Sequence, residues 1–146
     1  MKSADKIITV SNKLRNIIEK RELLNKTVVI NNGINPEEYV ADKQVELEGD
    51  YVMLSVSLIK TKGIDLNIRA VSKLINIYPT IKYYVIGDGE EYKNLKRLVD
   101  DLNLNRNVIF LGRLPHSQVI KYMSSKCDVF VLPSWQEGFG IVYIEA

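Results

Sequence analysis

From residue 51 onward, short apolar runs alternate with longer stretches in which apolar residues recur every three or four positions. "YVMLSVS" (51–57) is apolar and β-branched on both of its faces, which predicts a buried strand. Beyond "LIKTKG", the spacing of Ile64, Ile68, Val71, Ile75 and Tyr78 marks one face of a helix that Pro79 closes. "IKYYVIG" (81–87) predicts the next strand. Tyr92, Leu95, Leu98, Val99 and Leu102 then form a second helical stripe. "VIFLG" (108–112) predicts a strand, Pro115 opens a helix carrying Val119, Ile120, Tyr122 and Met123, and "DVFVLP" (128–133) predicts another strand. Strands apolar on both faces, joined by helices, belong to parallel sheets with right-handed crossovers. The expected fold is therefore α/β, a doubly wound parallel sheet of Rossmann-like type.

The first 35 residues are less regular. "KIITVS" predicts a strand, Ser11 a helix cap, and Leu14, Ile17 and Ile18 a short buried face. "TVVINNGI" predicts a strand that breaks at Asn32-Gly33. The charged stretch "NPEEYVADKQVELEGD" then reads as a connection between two units, residues 1–35 and 36–146.

Composition narrows the field of functions. Of the 146 residues, 46% are apolar and 26% charged, as in a globular protein. No run approaches the roughly 18 apolar residues of a membrane helix, and the first residues lack a signal-peptide core. A net charge of +2 lacks the basic excess of dedicated nucleic-acid binders. The single cysteine, Cys127, excludes an internal disulfide and makes a reducing cytoplasm the default setting. In "SSKCDVFVL" it reads as a small buried thiol rather than a nucleophile. His116, the one histidine, sits at a helix start, where a surface role is expected. A Ser-His or Cys-His hydrolase and a thiolate zinc site both lack the residues they need.

Ligands of open α/β sheets bind beyond the carboxyl ends of the strands. Four such ends carry candidate chemistry. "GDGEEY" (87–92) matches two glycines of a dinucleotide fingerprint but places Tyr92 at the third; the plainer reading is a tight turn with Asp88 or Glu90 near the helix start. A metal at Asp88 and Glu90 would lack a third ligand. Lys60 and Lys62, with Gly63 leading into a helix, suit phosphate oxygens or are simply a solvated pair. "GRLPH" is the third end. The fourth, "PSWQEGFGIVYIEA", sets Gly138, Phe139 and Gly140 between Glu137 and Glu145. A helix from about Ile141 would separate the two carboxylates by on the order of 10 Å, with backbone N–H groups between them. Hydroxyl pairs at either end and a diphosphate between form the outline of a nucleotide sugar.

The stretches "INNGINPEEY", "SLIKTKGIDLNIRAV", "YVIGDGEEYKNLKRLVDDLNL", "NVIFLGRLP" and "CDVFVLPSWQEGFGIVYIEA" together resemble the nucleotide-sugar-binding half of GT4-type retaining glycosyltransferases of GT-B architecture. The resemblance covers nearly the whole chain, and its most specific element is Glu137, seven residues, Glu145. It implies that Glu137 contacts hydroxyls of the donor sugar. It also implies that backbone amides of Gly138, Phe139 and Gly140 approach sugar and phosphate. Glu145 holds the ribose, Lys62 binds the diphosphate and assists its departure, and "FLGRL" lies near the nucleobase. No metal or cofactor is implied; the partners are a nucleotide-diphosphate-sugar donor and a saccharide or lipid-linked acceptor. The family's usual Gly-Arg is replaced here by Val56 and Ser57, which removes one cation at the Ser57 position. The resemblance also implies that residues 1–35 are the last strand and helix of an acceptor domain plus the hinge. Residues 36–146 are then a donor domain cut short at its C-terminus, a fragment inactive alone and prone to self-association. Two other readings are a GT-B-like nucleotide-sugar epimerase and a non-catalytic nucleotide-binding or interaction module.

Overall fold

A computed structural model describes residues 4–19, 23–39 and 45–146. Residues 40–44, in the middle of the expected connection, lie outside the described residues. The chain forms two compact units, one made of residues 1–35 with 137–144 and the other of 36–136 with 145–146.

In the first unit, β1 (Ile7–Thr9) pairs in parallel with β2 (Thr27–Val29), and α1 (Asn12–Glu19) connects them. Ser11 caps α1 as expected, its Oγ accepting the Leu14 amide at 3.3 Å. The expected buried face is narrower than the sequence suggests. Leu14 and Ile18, four residues apart, are half-buried, whereas Ile17 is exposed. A two-stranded sheet has room for one such row. β2 is also shorter than expected: its last ladder bond is the Ile30 amide to Thr9 at 2.9 Å, and the chain from Asn31 is irregular.

The second unit is built on β3 (Val52–Val56), β4 (Lys82–Ile86), β5 (Val108–Gly112) and β6 (Val129–Phe130). All pairings are parallel, in the order β5-β4-β3-β6. α2 (Ile64–Leu74), α3 (Tyr92–Asp101) and α4 (His116–Met123) are the crossovers, as the sequence predicts. Fully buried Val52, Leu54, Tyr83 and Val85 fill the central strands, and Ile68, Val71 and Val99 meet them from the helices. Each such side chain contributes roughly 1.5–3 kcal/mol through removal from water.

Two expectations are corrected here. α2 stops at Leu74, a turn before Pro79; the Tyr78 amide still bonds Leu74 O at 2.8 Å, but Tyr78 is exposed and packs edge-on against Tyr51. Proline disfavours helical backbone in the residue before it, so the last turn opens. β6 covers two residues instead of six. It is an edge strand bonded on one side, and Pro133 has no amide with which to extend the ladder. No helix among the described residues is long and apolar enough to cross a membrane.

A buried polar cluster ties the sheet to α2. The Asn67 side-chain amide donates to Ser55 Oγ (3.1 Å), Tyr83 Oη (3.0 Å) and Val131 O (3.2 Å). Tyr83 donates to Ser55 Oγ at 2.8 Å, and Ser55 donates to Val131 O. Burial pushes the Tyr83 phenol up to about 12, against its hydrogen bonds to Ser55 and Asn67, which pull it down. Its folded value thus exceeds the unfolded value of about 10. The associated stability is complete below pH 10 and is lost as pH rises towards 12. Urea unfolding is expected to show a decline on the order of 2–3 kcal/mol over that interval. Tyr83→Phe should remove that share of the alkaline slope; an identical slope in the variant would show that Tyr83 ionises normally.

Candidate functional site

The order β5-β4-β3-β6 reverses direction after β3: one crossover series runs outward through β4 and β5, and the chain then returns to β3's other side as β6. The carboxyl ends of β3 and β6 therefore flank the topological switch point, where adjacent connections diverge and leave a crevice. Of the four strand ends with candidate chemistry, the sheet singles out two, residues 57–63 and 131–136.

Ser57 leaves β3 with φ +71°, left-handed backbone that a non-glycine residue rarely adopts, held by its amide bond to Ile86 O at 2.8 Å. Such strained positions concentrate at functional sites. The chain then makes a short 3-10 turn, Lys60–Lys62, whose Lys62 amide bonds Ile59 O at 3.0 Å. Gly63 follows with φ +67° and begins α2. A Cβ at Gly63 would stand 2.7 Å from the Pro133 carbonyl oxygen, so only glycine fits. Across the same gap the Trp135 amide donates to Thr61 O at 3.2 Å. The lysine turn and the segment after β6 are thus fastened together by backbone. Lys62 is half-buried in this arrangement; Lys60 is exposed and lines a groove between α2 and α3.

Glu145 belongs to this second unit. Its Oε1 accepts a hydrogen bond from Tyr39 Oη at 2.9 Å, and Tyr39 closes the 3-10 turn Pro36–Tyr39. His116 Nε2 lies 3.4 Å from the same hydroxyl, with the two rings edge to face. Burial, then the Glu145 hydrogen bond and charge, then Glu38, raise the Tyr39 pKa. The phenol keeps its proton and fixes one carboxylate oxygen of Glu145. Neither Tyr39 nor His116 stands out as a site residue in the sequence, where His116 reads as a surface histidine. The available signal was Tyr39 as the last residue of "INNGINPEEY".

Glu137, Gly138, Phe139 and Gly140 belong to the first unit. There Lys13 Nζ donates to the Glu137 carbonyl at 3.4 Å, and a Cβ on Gly138 would lie 3.3 Å from Leu14. Gly140 has φ +75°, and an added Cβ would strike the Tyr143 ring at 2.7 Å. The helix expected from about Ile141 is α5 (Val142–Glu145), a single turn with i to i+3 bonds from Tyr143 to Gly140 and Ile144 to Ile141. One turn sums few peptide dipoles, so backbone donors rather than a macrodipole are what this segment offers. The first unit thus holds Glu137 to Gly140, and the second holds Ser57, Lys62 and Glu145.

The other candidates are plain. Neither Asp88 nor Glu90 caps α3; Asp88 Oδ1 accepts the Gly89 amide at 2.8 Å, and Glu91 stands at the N-cap position without a capping bond, its Oε1 instead accepting from Asn94 Nδ2 at 3.4 Å. Asp88 spends its carboxylate on its own turn. Cys127 is half-buried against the β-sheet core. Burial chiefly, with Asp128 adding and the Val129 backbone bond opposing, pushes its thiol up, which makes it unreactive.

The family of Glycosyl transferases group 1 matches residues 37–146. An uncharacterized glycosyltransferase of Methanocaldococcus jannaschii is 34% identical over 145 residues, 98% of this chain and 37% of that protein. The chain spans about a third of the length of the curated relatives it matches. Among solved structures, Anabaena HepE in complex with UDP and glucose superposes with a TM-score of 0.81 at 23% identity, over 98% of this chain and 42% of that one. The C-terminal domain of a glycosyl transferase group 1 family protein from Francisella tularensis superposes with a TM-score of 0.65 at 23% identity. It covers 78% of this chain and 65% of that one. The fold is that of a GT-B C-terminal domain, and with its family match over residues 37–146 the chain belongs to the group 1 glycosyltransferases.

Proposed function

We propose that this chain is the donor-binding part of an enzyme that moves a sugar from a nucleotide-diphosphate sugar to an acceptor with retention of configuration. The observation that carries the reading is the switch point of the second unit. Lys62 stands there on a turn that Gly63 and Trp135 fasten to the segment after β6. As the bond between the anomeric carbon and the diphosphate oxygen breaks, negative charge collects on the leaving diphosphate. A fixed ammonium beside that oxygen stabilises the transition state without a metal. Lys62 is assigned that role. Glu145, oriented by Tyr39, receives the ribose hydroxyls, and Glu137 receives hydroxyls of the sugar. Gly138, Phe139 and Gly140 offer amides to sugar and phosphate, and Ser57, lacking a cation, contributes a hydroxyl at the strand end. Residues 1–35 are read as the last strand and helix of an acceptor domain with its hinge, and residues 36–146 as the donor domain.

Calorimetric titration with UDP, GDP and ADP tests the reading and also ranks the nucleobases. At least one should bind, and Tyr39→Phe should weaken it about 3- to 10-fold, because Glu145 loses the bond that orients it while its own contacts to the ligand remain. A module that only contacts other proteins would bind none of the three. Residues 1–146 by themselves should hold donor and transfer nothing. Transfer needs an acceptor in near-attack geometry with water excluded, and the chain spans about a third of its relatives' length. Acceptor-dependent nucleotide release by this chain would overturn that part.

A further inference from the structure

The second unit carries another cavity that the donor reading does not use. A groove of about 350 Å³ runs between α2 and α3 and opens beside the lysine turn. Its size is at the lower end of the roughly 300–1,000 Å³ typical of small-ligand pockets. Trp135, the only tryptophan in the chain, lines it with 57% of its surface exposed. Around the ring stand three cations, Lys60, Arg69 and Arg97, and three carboxylates, Asp65, Glu91 and Asp101. Asp65 and Arg69 are four residues apart on α2, as are Arg97 and Asp101 on α3, a spacing at which opposite charges usually pair. Yet among the described residues these four side chains, and that of Lys60, form no hydrogen bond or ion pair with one another or with the rest of the protein.

We propose that this groove is a saccharide-binding site, separate from the donor site, that takes a neutral segment of a glycan chain. Three opposed features lead there. The charges of the lining cancel, so the groove has no net attraction for a polyanion such as nucleic acid, or for an anionic membrane surface. Its polar groups are planar carboxylates and guanidinium forks, which accept and donate in pairs and match adjacent hydroxyls of a pyranose ring. An exposed indole offers a flat apolar surface for the C–H face of the same ring, and its N–H for a hydroxyl. A neutral ligand with one apolar face and a rim of hydroxyls satisfies all three. The Trp135 amide bonds Thr61 O, and Lys60 of the lining belongs to the same turn as Lys62, so a chain seated here lies beside that turn.

The lone indole makes its own reporter. Titrating the 146-residue chain with maltotriose, and separately with triacetylchitotriose, should shift Trp135 emission to saturation with at least one of them. The response should persist with saturating UDP present and in Lys62→Ala, whose diphosphate binding is expected to fall; this separates the groove from the donor reading. Arg97→Ala and, independently, Asp101→Asn should each weaken the saccharide about tenfold or more while leaving UDP binding and the circular dichroism spectrum unchanged. Absence of a saturable response to both saccharides would overturn the proposal. So would a response that UDP abolishes, which places the sugar in the donor site, or one given only by a sulfated oligosaccharide or anionic vesicles.

Discussion

Replacing Lys62 by alanine is expected to weaken UDP binding by about 10- to 100-fold while leaving uridine binding within about twofold. The asymmetry comes from charge. A hydrogen bond between an ammonium and a phosphate oxygen is worth about 1.5–3 kcal/mol, twice or more a neutral one, and only the diphosphate carries the partner charge. Lys62 is half-buried, so solvent screens the pair less than it would at the exposed Lys60. The backbone that places Lys62 is held by Gly63 against Pro133 and by the Trp135 amide on Thr61, contacts the substitution does not touch. Parallel calorimetry with the diphosphate and the nucleoside reads the difference directly. Equal losses for both ligands would mean that the turn had collapsed, and equal retention would remove Lys62 from the phosphate site.

A second large effect is expected in stability. Asn67→Ala should cost about 2–4 kcal/mol in urea unfolding at neutral pH. The amide is 4% exposed and serves three acceptors, Ser55 Oγ, Tyr83 Oη and Val131 O. Without it, acceptors that water cannot reach lose a donor, and a small void opens under α2. The penalty lies in the stranded partners, so a variant in which Asn67, Ser55 and Tyr83 become Leu, Ala and Phe together should recover only the share due to the side chains, because Val131 O still lacks a donor. A single variant within about 0.5 kcal/mol of the parent would mean that the cluster does not hold α2 to the sheet.

That cluster also marks the limit of what the sequence discloses. β3, β4, α2 and α3 are legible because most of their partners are apolar, and an apolar stripe has the period of its own element. Ser55 and Asn67 interrupt those stripes and look like polar positions. Their complementarity lies across 12 residues of chain, and for Val131 across 64, where no local period reaches. β6 is shorter than its pattern suggests for the opposite reason: "DVFVLP" is apolar enough for a central strand, but it stands at an edge. At the candidate site, Lys62 and Gly63 could be found because a cation before a glycine at a strand end has a local signature. Tyr39 could not be linked to Glu145, 106 residues away, until the fold joined them. Trp135 likewise reads as an ordinary loop aromatic until the groove beside it is seen.

The composition of the two units has a consequence for biosynthesis. Nearly all of the second unit is one continuous stretch, residues 36–136, whereas the first is completed by residues 137–144. The bond from Lys13 to Glu137 closes over 124 positions. A ribosome therefore releases β1, α1 and β2 long before the segment that packs on them exists. Until then β1, α1 and β2 lack the contacts that this segment brings to them. The parallel sheet of the second unit can form as each crossover emerges, whereas β1, α1 and β2 receive residues 137–144 only after residues 36–136 have been made. A translational pause before residue 137 would prolong the interval in which β1, α1 and β2 lack that segment.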